Sequence, residues 1–529
     1  MPLHTTISLY RLPTAVTPTP ISNKLNQVKA GVVLNYVIIG LNIVTGLLYT
    51  PFMLRCLGQS QYGLYSLVAS VIAYLTLLDF GFGSAIVRYT AKIRATESQQ
   101  SEWSLYGMFL SAYAVIGLLV VIAGTALYFN VDRMFDATMT ADELSQARIM
   151  MGLMVFNLAV TFPFSIFGSI ISAYEHFVFQ RTVSILRILL STAVMIAVLL
   201  MGYKAVAMVV VQTVFSIGTL LANVLYCRYR LRIRITFGRF NYALLREVMV
   251  FSWWNFLAIA SDRIYWGTGQ FVLGVVSGTV AVAVFSVAIS LMNMYMSMST
   301  SLNNVLLPRI TRMATDPAQD GAISDLFIRT GRLQFCVISL ILCTFAVIGR
   351  DFIALWAGPG YEDSFLITLI FFIALLCPVI QNVGITILLA RDQLKFRALS
   401  YLVAAAVNLI GQIFAGRTYG AIGCAWVIGA TFFIGQWIAM SIYYARRQRL
   451  GITHFWMQIL RMAVAPAVVV AAGLFAAGHV TVDTWPRLML LTAAFLAVYL
   501  PAFWFFSMNT YERSQVLAPL AKLKIVNGK

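Results

Sequence analysis

The chain has 529 residues, of which 60% are hydrophobic and only 11% charged, with 37 Lys and Arg against 19 Asp and Glu. That is about 317 apolar residues, more than the roughly 280 that fourteen membrane crossings of about 20 residues would need. Apolar runs of this length at regular spacing exclude a soluble globular protein and define an all-α polytopic membrane protein.

Residues 1–29 include LPTAVTPTP, which has Pro and Thr but no apolar core. This predicts a disordered tail and not a cleaved signal peptide. Fourteen transmembrane helices follow. Spans 1–6 lie near 30–54, 63–83, 104–129, 149–171, 183–201 and 204–226. Spans 7–12 lie near 248–272, 279–305, 327–349, 365–388, 398–415 and 419–444, and two more near 457–477 and 487–507.

An even number of spans places both termini on one side. With the N-terminus inside, the inner connections and tails hold 27 Lys and Arg and the outer loops 7. This is the bias of the positive-inside rule, so both termini and the 227–247 connection are predicted to be cytoplasmic. The net charge of +18 is thereby explained without a nucleic-acid partner. The densest basic run, CRYRLRIRITFGR at 227–239, either anchors the connection at the membrane surface or holds anionic lipid headgroups.

The six cysteines, at 56, 227, 336, 343, 377 and 424, form no CxxC, and the four histidines, at 4, 176, 454 and 479, are scattered. They predict neither a metal site nor disulfides, and no cofactor. GxSxG, GxxxxGK[ST] and HExxH are all missing from the chain. No outer loop exceeds about 20 residues, which leaves no room for the outer domain of an enzyme acting on lipid-linked sugars. The expectation is a transporter, not an enzyme, driven by a gradient, the membrane potential or mass action.

An internal repeat organises the chain. GSIISAYEHFVFQR (168–181) returns 216 residues later as GITILLARDQLKFR (384–397), matching Gly168 to Gly384 and Arg181 to Arg397. YKAVA (203–207) faces YGAIG (419–423) at the same offset, and YCRYR (226–230) resembles YYARR (443–447) at one residue more. Two pseudo-symmetric six-helix bundles are expected, 30–226 and 248–445, joined by the basic cytoplasmic linker 227–247. Residues 446–529 then carry helices 13 and 14 and a cytoplasmic tail. An even number of spans per half makes the repeat parallel, with a substrate cavity between the halves.

The stretch LGQSQYGLYSLVASVIAYLTLLDFGFGSAIVRYTAK, 57–92, resembles the start of the polysaccharide transporters, the Wzx-type flippases of lipid-linked oligosaccharides. These share a superfamily with MATE drug exporters and lipid II flippases. DRIYWGTGQFVLG (262–274), VAVFSVAISL (282–291) and LLPRIT (306–311) are similar to the family's order in the second half, and the resemblance covers roughly 25–445. It implies rocker-switch export of an undecaprenyl-diphosphate-linked glycan unit across a bacterial inner membrane, for O-antigen, capsule or exopolysaccharide. The implied partners are that substrate, membrane lipids, and a polymerase and chain-length regulator of the same pathway. The alternatives are a lipid II flippase, whose family shows basic residues deep in the first half, and a MATE-type multidrug exporter, which would want an unpaired carboxylate there.

The charged pair Asp262 and Arg263 lies in the middle of span 7. Charges at that depth cost a few kcal/mol and usually face a bundle interior or a watery cavity. Adjacent helical positions are about 100° apart, so the two are not expected to point down one line. Arg263 is assigned to the cavity as the diphosphate contact. Asp262 either pairs with a neighbouring helix or takes up a coupling proton; the alternative for the pair is a structural lock on span 7. Span amides (Asn35, Asn42, Asn157, Asn255, Gln270, Asn293, Asn382, Asn408, Gln412) serve sugars or bond between helices. Of these, Asn42, Asn255 and Asn382 join Arg263 as candidate substrate contacts. Asp79 in LLDFGFGSAIVRY, with two glycines and then Arg88 after it, reads as a cap or a gate hinge. Pro163 and Pro378, in corresponding spans 4 and 10, are expected to kink their helices for alternating access.

Overall fold

The computed structural model describes residues 21–96, 98–237, 242–314, 319–391, 393, 395–480, 482–515 and 517. Every regular element among them is helical. This is the local solution in hydrocarbon, where each backbone N–H and C=O must find its partner within its own segment. Large apolar side chains such as Leu48, Phe129, Val464 and Phe506 lie exposed on the outside, a surface suited to lipid and not to water.

The first half begins with α1 (Ile21–Leu75), which makes two passes and reverses at Gly58. The φ of 73° there is open to glycine at no steric cost. A short 3-10 turn, Thr76–Asp79, leads through Phe80 and Gly81, both at positive φ, into α2 (Phe82–Thr96). Span 2, expected to end near 83, therefore continues past a break, because the left-handed turn redirects the helix without ending it. Then come α3 (Gln99–Phe135), α4 (Ala141–Ala173), α5 (Phe177–Leu200) and α6 (Ala205–Tyr229).

The second half holds α7 (Tyr242–Val276), α8 (Gly278–Ala314), α9 (Asp320–Trp356), α10 (Asp363–Ile380) and α11 (Asn382–Ala390). It closes with α12 (Lys395–Phe432), a π-helical stretch Phe433–Ala439 and α13 (Met440–Arg446). α12 reverses at Gly420, φ 57°. Tyr265 demonstrates the reversal: its carbonyl accepts from Asn408 Nδ2 at 3.0 Å, and its hydroxyl donates to the Ile428 carbonyl at 2.7 Å. α14 (Ile452–Ala477) and α15 (Trp485–Ala502) pack on α9.

Eleven segments are long and apolar enough to span a membrane, and the two longest, Ala30–Thr96 and Lys395–Arg446, contain the reversals at Gly58 and Gly420. Adding those two return passes and α7 gives the expected fourteen crossings among the described residues.

The same neighbour pattern recurs in both halves: α3 on α4, α4 on α6 and α1 on α5 in the first, then α9 on α10, α10 on α12 and α7 on α12. Gly168 of α4 faces Asn223 of α6, and Gly384 of α11 faces Tyr444 of α13. Phe179 stacks on Tyr226 with centroids 3.7 Å apart, and Phe396 stacks on Tyr443 at 4.1 Å. Both members of the second pair follow their counterparts by 217 positions. These repeats support the proposal that 30–226 and 248–445 are two copies of one bundle.

The basic connection is more than a tether. Its non-helical residues 232–237 lie on the start of α3, where Thr236 N donates to the Trp103 carbonyl at 3.3 Å and Arg234 sits over the Trp103 ring. A Cβ on Gly107 would come within 2.3 Å of the Thr236 carbonyl oxygen, so glycine makes this docking possible. Residues 238–241, and residues 1–20 of the expected tail, lie outside the described residues.

Candidate functional site: a charged cavity between the halves

A cavity of about 260 Å³ opens where the return pass of α1 meets α7 and α8. The first half contributes Ser70, Ala73 and Tyr74. Asp262, Arg263, Trp266, Gly267 and Gln270 come from α7, and Ile289, Met292, Asn293 and Met296 from α8. The elements supplying the wall are two 35- and 37-residue helices and a reversed one, so the site sits at the seam a two-half architecture creates.

Both Asp262 and Arg263 line this cavity, which corrects the expectation that only one of them could. The 100° between adjacent positions is spanned because the cavity wraps around α7, bounded by α1 and α8. The Tyr401 hydroxyl on α12 donates to Asp262 Oδ1 at 3.3 Å, and the charges of Arg263 and Arg397 both act on that carboxylate. Arg263 makes no hydrogen bond or ion pair to any described residue, so its five donors remain for a ligand.

Of the amides, Asn293 and Gln270 reach the cavity wall, and Gln270 Nε2 donates to Ser286 at 2.7 Å. Asn408 and Gln412 are buried between α12 and α7, where Asn408 holds the Tyr265 carbonyl. Asn42 is exposed on the first pass of α1 and Asn382 is half-buried at the start of α11; neither lines the cavity. The side chain of Asn255 lies outside the described residues. Tyr74, Trp266 and Tyr401 were not legible as site residues, since aromatic residues recur in every span and no pattern separates a wall from a core.

Asp79 closes the 3-10 turn, and its Oδ1 accepts from the Tyr113 hydroxyl at 2.8 Å. The next residue, Phe80, is at φ 49°, a region that costs a non-glycine residue energy and persists only where the surroundings enforce it. Its ring packs on Phe256 of α7 at 4.9 Å. The break thus places an aromatic contact between the halves about two turns toward the basic end from the cavity. Arg88 is exposed on α2.

Pro378 frees the Ala374 carbonyl, which accepts from Trp437 Nε1 of the π stretch at 2.9 Å, and α10 ends two residues later. Around Pro163, by contrast, α4 continues unbroken from Ala141 to Ala173. The Ala159 carbonyl one turn earlier faces Gly117 of α3, where a Cβ would stand 3.1 Å from the oxygen. The two prolines therefore differ: only Pro378 adjoins an interruption, because α10 restarts as α11 after Gln381.

At the end opposite the basic connections the halves are joined tightly. Ser60 Oγ donates to Glu143 Oε1 at 2.5 Å, and Thr279 Oγ1 of α8 donates to the same oxygen at 3.0 Å. Thr138 Oγ1 donates to the Gly274 carbonyl at 2.7 Å, Gln59 Nε2 to the Gly360 carbonyl at 2.7 Å, and Trp356 Nε1 to the Leu47 carbonyl at 2.7 Å. At the basic end, an exposed pair joins Lys92 to Glu247 at 3.7 Å, an interaction worth little. No group of three or more His, Cys, Asp or Glu that could hold a metal occurs among the described residues.

A helical membrane protein with this arrangement has the fold of the flippases and exporters of the MOP superfamily. The structure superposes on a lipid II flippase, MurJ, in an inward closed conformation, with TM-score 0.68 and 13% identity over 92% of this chain and 99% of that one. A multidrug resistance MATE family transporter of the MOP superfamily, facing inward, gives 0.56 and 11% over 80% of this chain and 99% of that one. The MATE multidrug transporter DinF-BH gives 0.54 and 14% over 83% and 98%. No curated protein matches the chain. Residues 28–314 match the polysaccharide biosynthesis protein family, and the chain belongs to it.

Proposed function

We propose that the protein is a flippase that carries an undecaprenyl-diphosphate-linked oligosaccharide from the inner to the outer leaflet of a bacterial inner membrane by alternating access, for surface polysaccharide synthesis. The observation that carries this reading is Arg263: a guanidinium on the wall of a cavity at the seam of the two halves, without a bonded partner among the described residues. A guanidinium without a hydrogen-bonded partner in the membrane interior is expensive, and a diphosphate is a ligand whose oxygens a guanidinium engages bidentately.

Asn293, Gln270 and Trp266 border the same space and supply donors, acceptors and an apolar ring face to the first sugar. A cavity of about 260 Å³ is below the roughly 300–1,000 Å³ of sites that enclose drug-sized ligands, so the halves must part to admit the glycan. The basic end is cytoplasmic under the charge rule. Asp262, held by Tyr401, serves either as the fixed counter-charge of Arg263 or as the carrier of a coupling proton.

The test is surface glycan display in a cell whose own flippase is deleted, with membrane protein levels measured in parallel. Arg263→Ala is expected to abolish display at normal protein level, and Arg263→Lys to restore part of it, since an ammonium lacks the planar fork. Normal display with Arg263→Ala would refute the substrate role and leave a helix-locking charge. Supply of lipid II or export of cationic dyes in place of glycan display would identify the alternative branches.

A further inference from the structure

A polar junction between the halves is built around a carboxylate that the sequence places only at a helix start. Glu143 is the third residue of α4 and completes a capping box with Thr140: Oε2 accepts from Thr140 N at 2.9 Å, while Thr140 Oγ1 accepts from Glu143 N at 3.3 Å. Such a box satisfies free N–H groups at a helix start and needs one carboxylate oxygen. The other oxygen, Oε1, accepts from Ser60 just after the Gly58 reversal and from Thr279 at the start of α8. One carboxylate thus joins the first half to the second at the end away from the basic connections.

The backbones at this junction are in direct contact. A Cβ on Gly63 would lie 1.8 Å from the Thr279 carbonyl oxygen, a distance no side chain tolerates. Donation to a carboxylate is stronger than donation between neutral groups. It also has to be broken if the halves separate here. At the basic end the contacts between the halves include the exposed Lys92–Glu247 pair and the Phe80–Phe256 ring contact.

We infer that Glu143 is the latch of the outer gate: its Oε1, held in place by Ser60 of its own half, accepts across the seam from Thr279 and keeps the cavity shut toward the outside, and losing the Thr279 bond opens it. The inference rests on the alternating-access reading above, but the latch is testable without substrate. Its two oxygens have separate duties, so capping and latching can be disconnected by choosing the donor that is removed.

The reporter is Ala73→Cys, a small change on the cavity wall, in a Cys56→Ser background that removes the exposed cysteine. Intact cells are treated from outside with a membrane-impermeant maleimide. Ser60→Ala/Thr279→Val, which leaves the capping box whole, is expected to raise the labelling rate on the order of ten-fold, because the Thr279 bond exists only in the closed state and Ser60 no longer orients its acceptor. Glu143→Gln, which keeps the cap with its one oxygen and turns an NH2 donor toward hydroxyls that can accept, should give a smaller rise. Thr140→Val, which weakens the cap and spares the latch, should lower thermal stability and leave labelling unchanged.

Unchanged labelling in Ser60→Ala/Thr279→Val at normal membrane level, or an equal rise in Thr140→Val, would overturn the latch. If the double variant fails to insert, Thr279→Val alone, nearly isosteric, decides by the same readout. Arg263→Ala distinguishes the two levels: normal glycan display there removes the substrate reading, while the labelling result on the latch stands by itself.

Discussion

Single residues carry the polar chemistry of this protein because so few polar groups are tolerated in its interior. Arg332 of α9 and Glu512 make a bidentate pair, Nε to Oε1 at 2.5 Å and Nη2 to Oε2 at 2.9 Å, with side-chain exposures of 9% and 0%. Gln458 of α14 accepts from Arg332 Nη1 at 3.2 Å, and Asn509 N donates to Glu512 Oε2 at 2.6 Å. Like Glu143, Glu512 caps its own helix and reaches a second element. This pair locks the C-terminal helices to the second half. Glu512→Ala leaves a buried guanidinium uncompensated, and the expected destabilisation is about 3–5 kcal/mol. Arg332→Met/Glu512→Leu should recover most of it, since well-packed apolar replacements of buried pairs are often neutral. Thermal unfolding in detergent reads both. Equal loss in the single and double variants would mean that packing, not the charge, holds the joint.

At the scale of elements, glycine and proline set where helices reverse, meet and break. Gly63 lets the return pass of α1 touch the start of α8, where a Cβ would stand 1.8 Å from a carbonyl oxygen. Gly63→Val is therefore expected to hold the outer seam apart, giving fast labelling of the Ala73→Cys reporter in a protein that still inserts. Labelling at the parent rate would show that the seam relaxes around the added carbons. Trp437 plays the complementary role at Pro378, restoring a partner to the carbonyl that the proline frees. Spans 4 and 10 were legible as proline-bearing spans, but their different proline geometries were not. What compensates a freed carbonyl, Trp437 in one case and close packing on Gly117 in the other, comes from a distant helix.

At the scale of the whole molecule, the charge bias and the repeat make joint predictions. Introduced cysteines report the orientation: Ala141→Cys should react with an impermeant reagent from outside intact cells, and Arg234→Cys only after permeabilisation. The reverse pattern would invert the topology and place the Glu143 junction inside. The two halves, 30–226 and 248–445, should superpose by rotation about the membrane normal in an experimental structure, with Gly168 on Gly384 and Arg181 on Arg397. Failure to superpose would leave the recurring neighbour pattern as coincidence.

The sequence by itself determined the class, the number of crossings, the expected inside and the position of the charged pair, because each of these depends on the free energy of moving single segments between water and hydrocarbon. Hydropathy and Lys/Arg counts are local sums, and they can be taken without knowledge of neighbours. Only the tertiary structure decided that Asp262 and Arg263 share one cavity, that Asn293 reaches it while Asn42 and Asn382 do not, and that Glu143 joins the halves. Those facts depend on which helix faces which across the seam. In a chain whose spans are apolar on every side, hydrophobic periodicity no longer marks a face, so orientation is set by contacts between helices far apart in sequence.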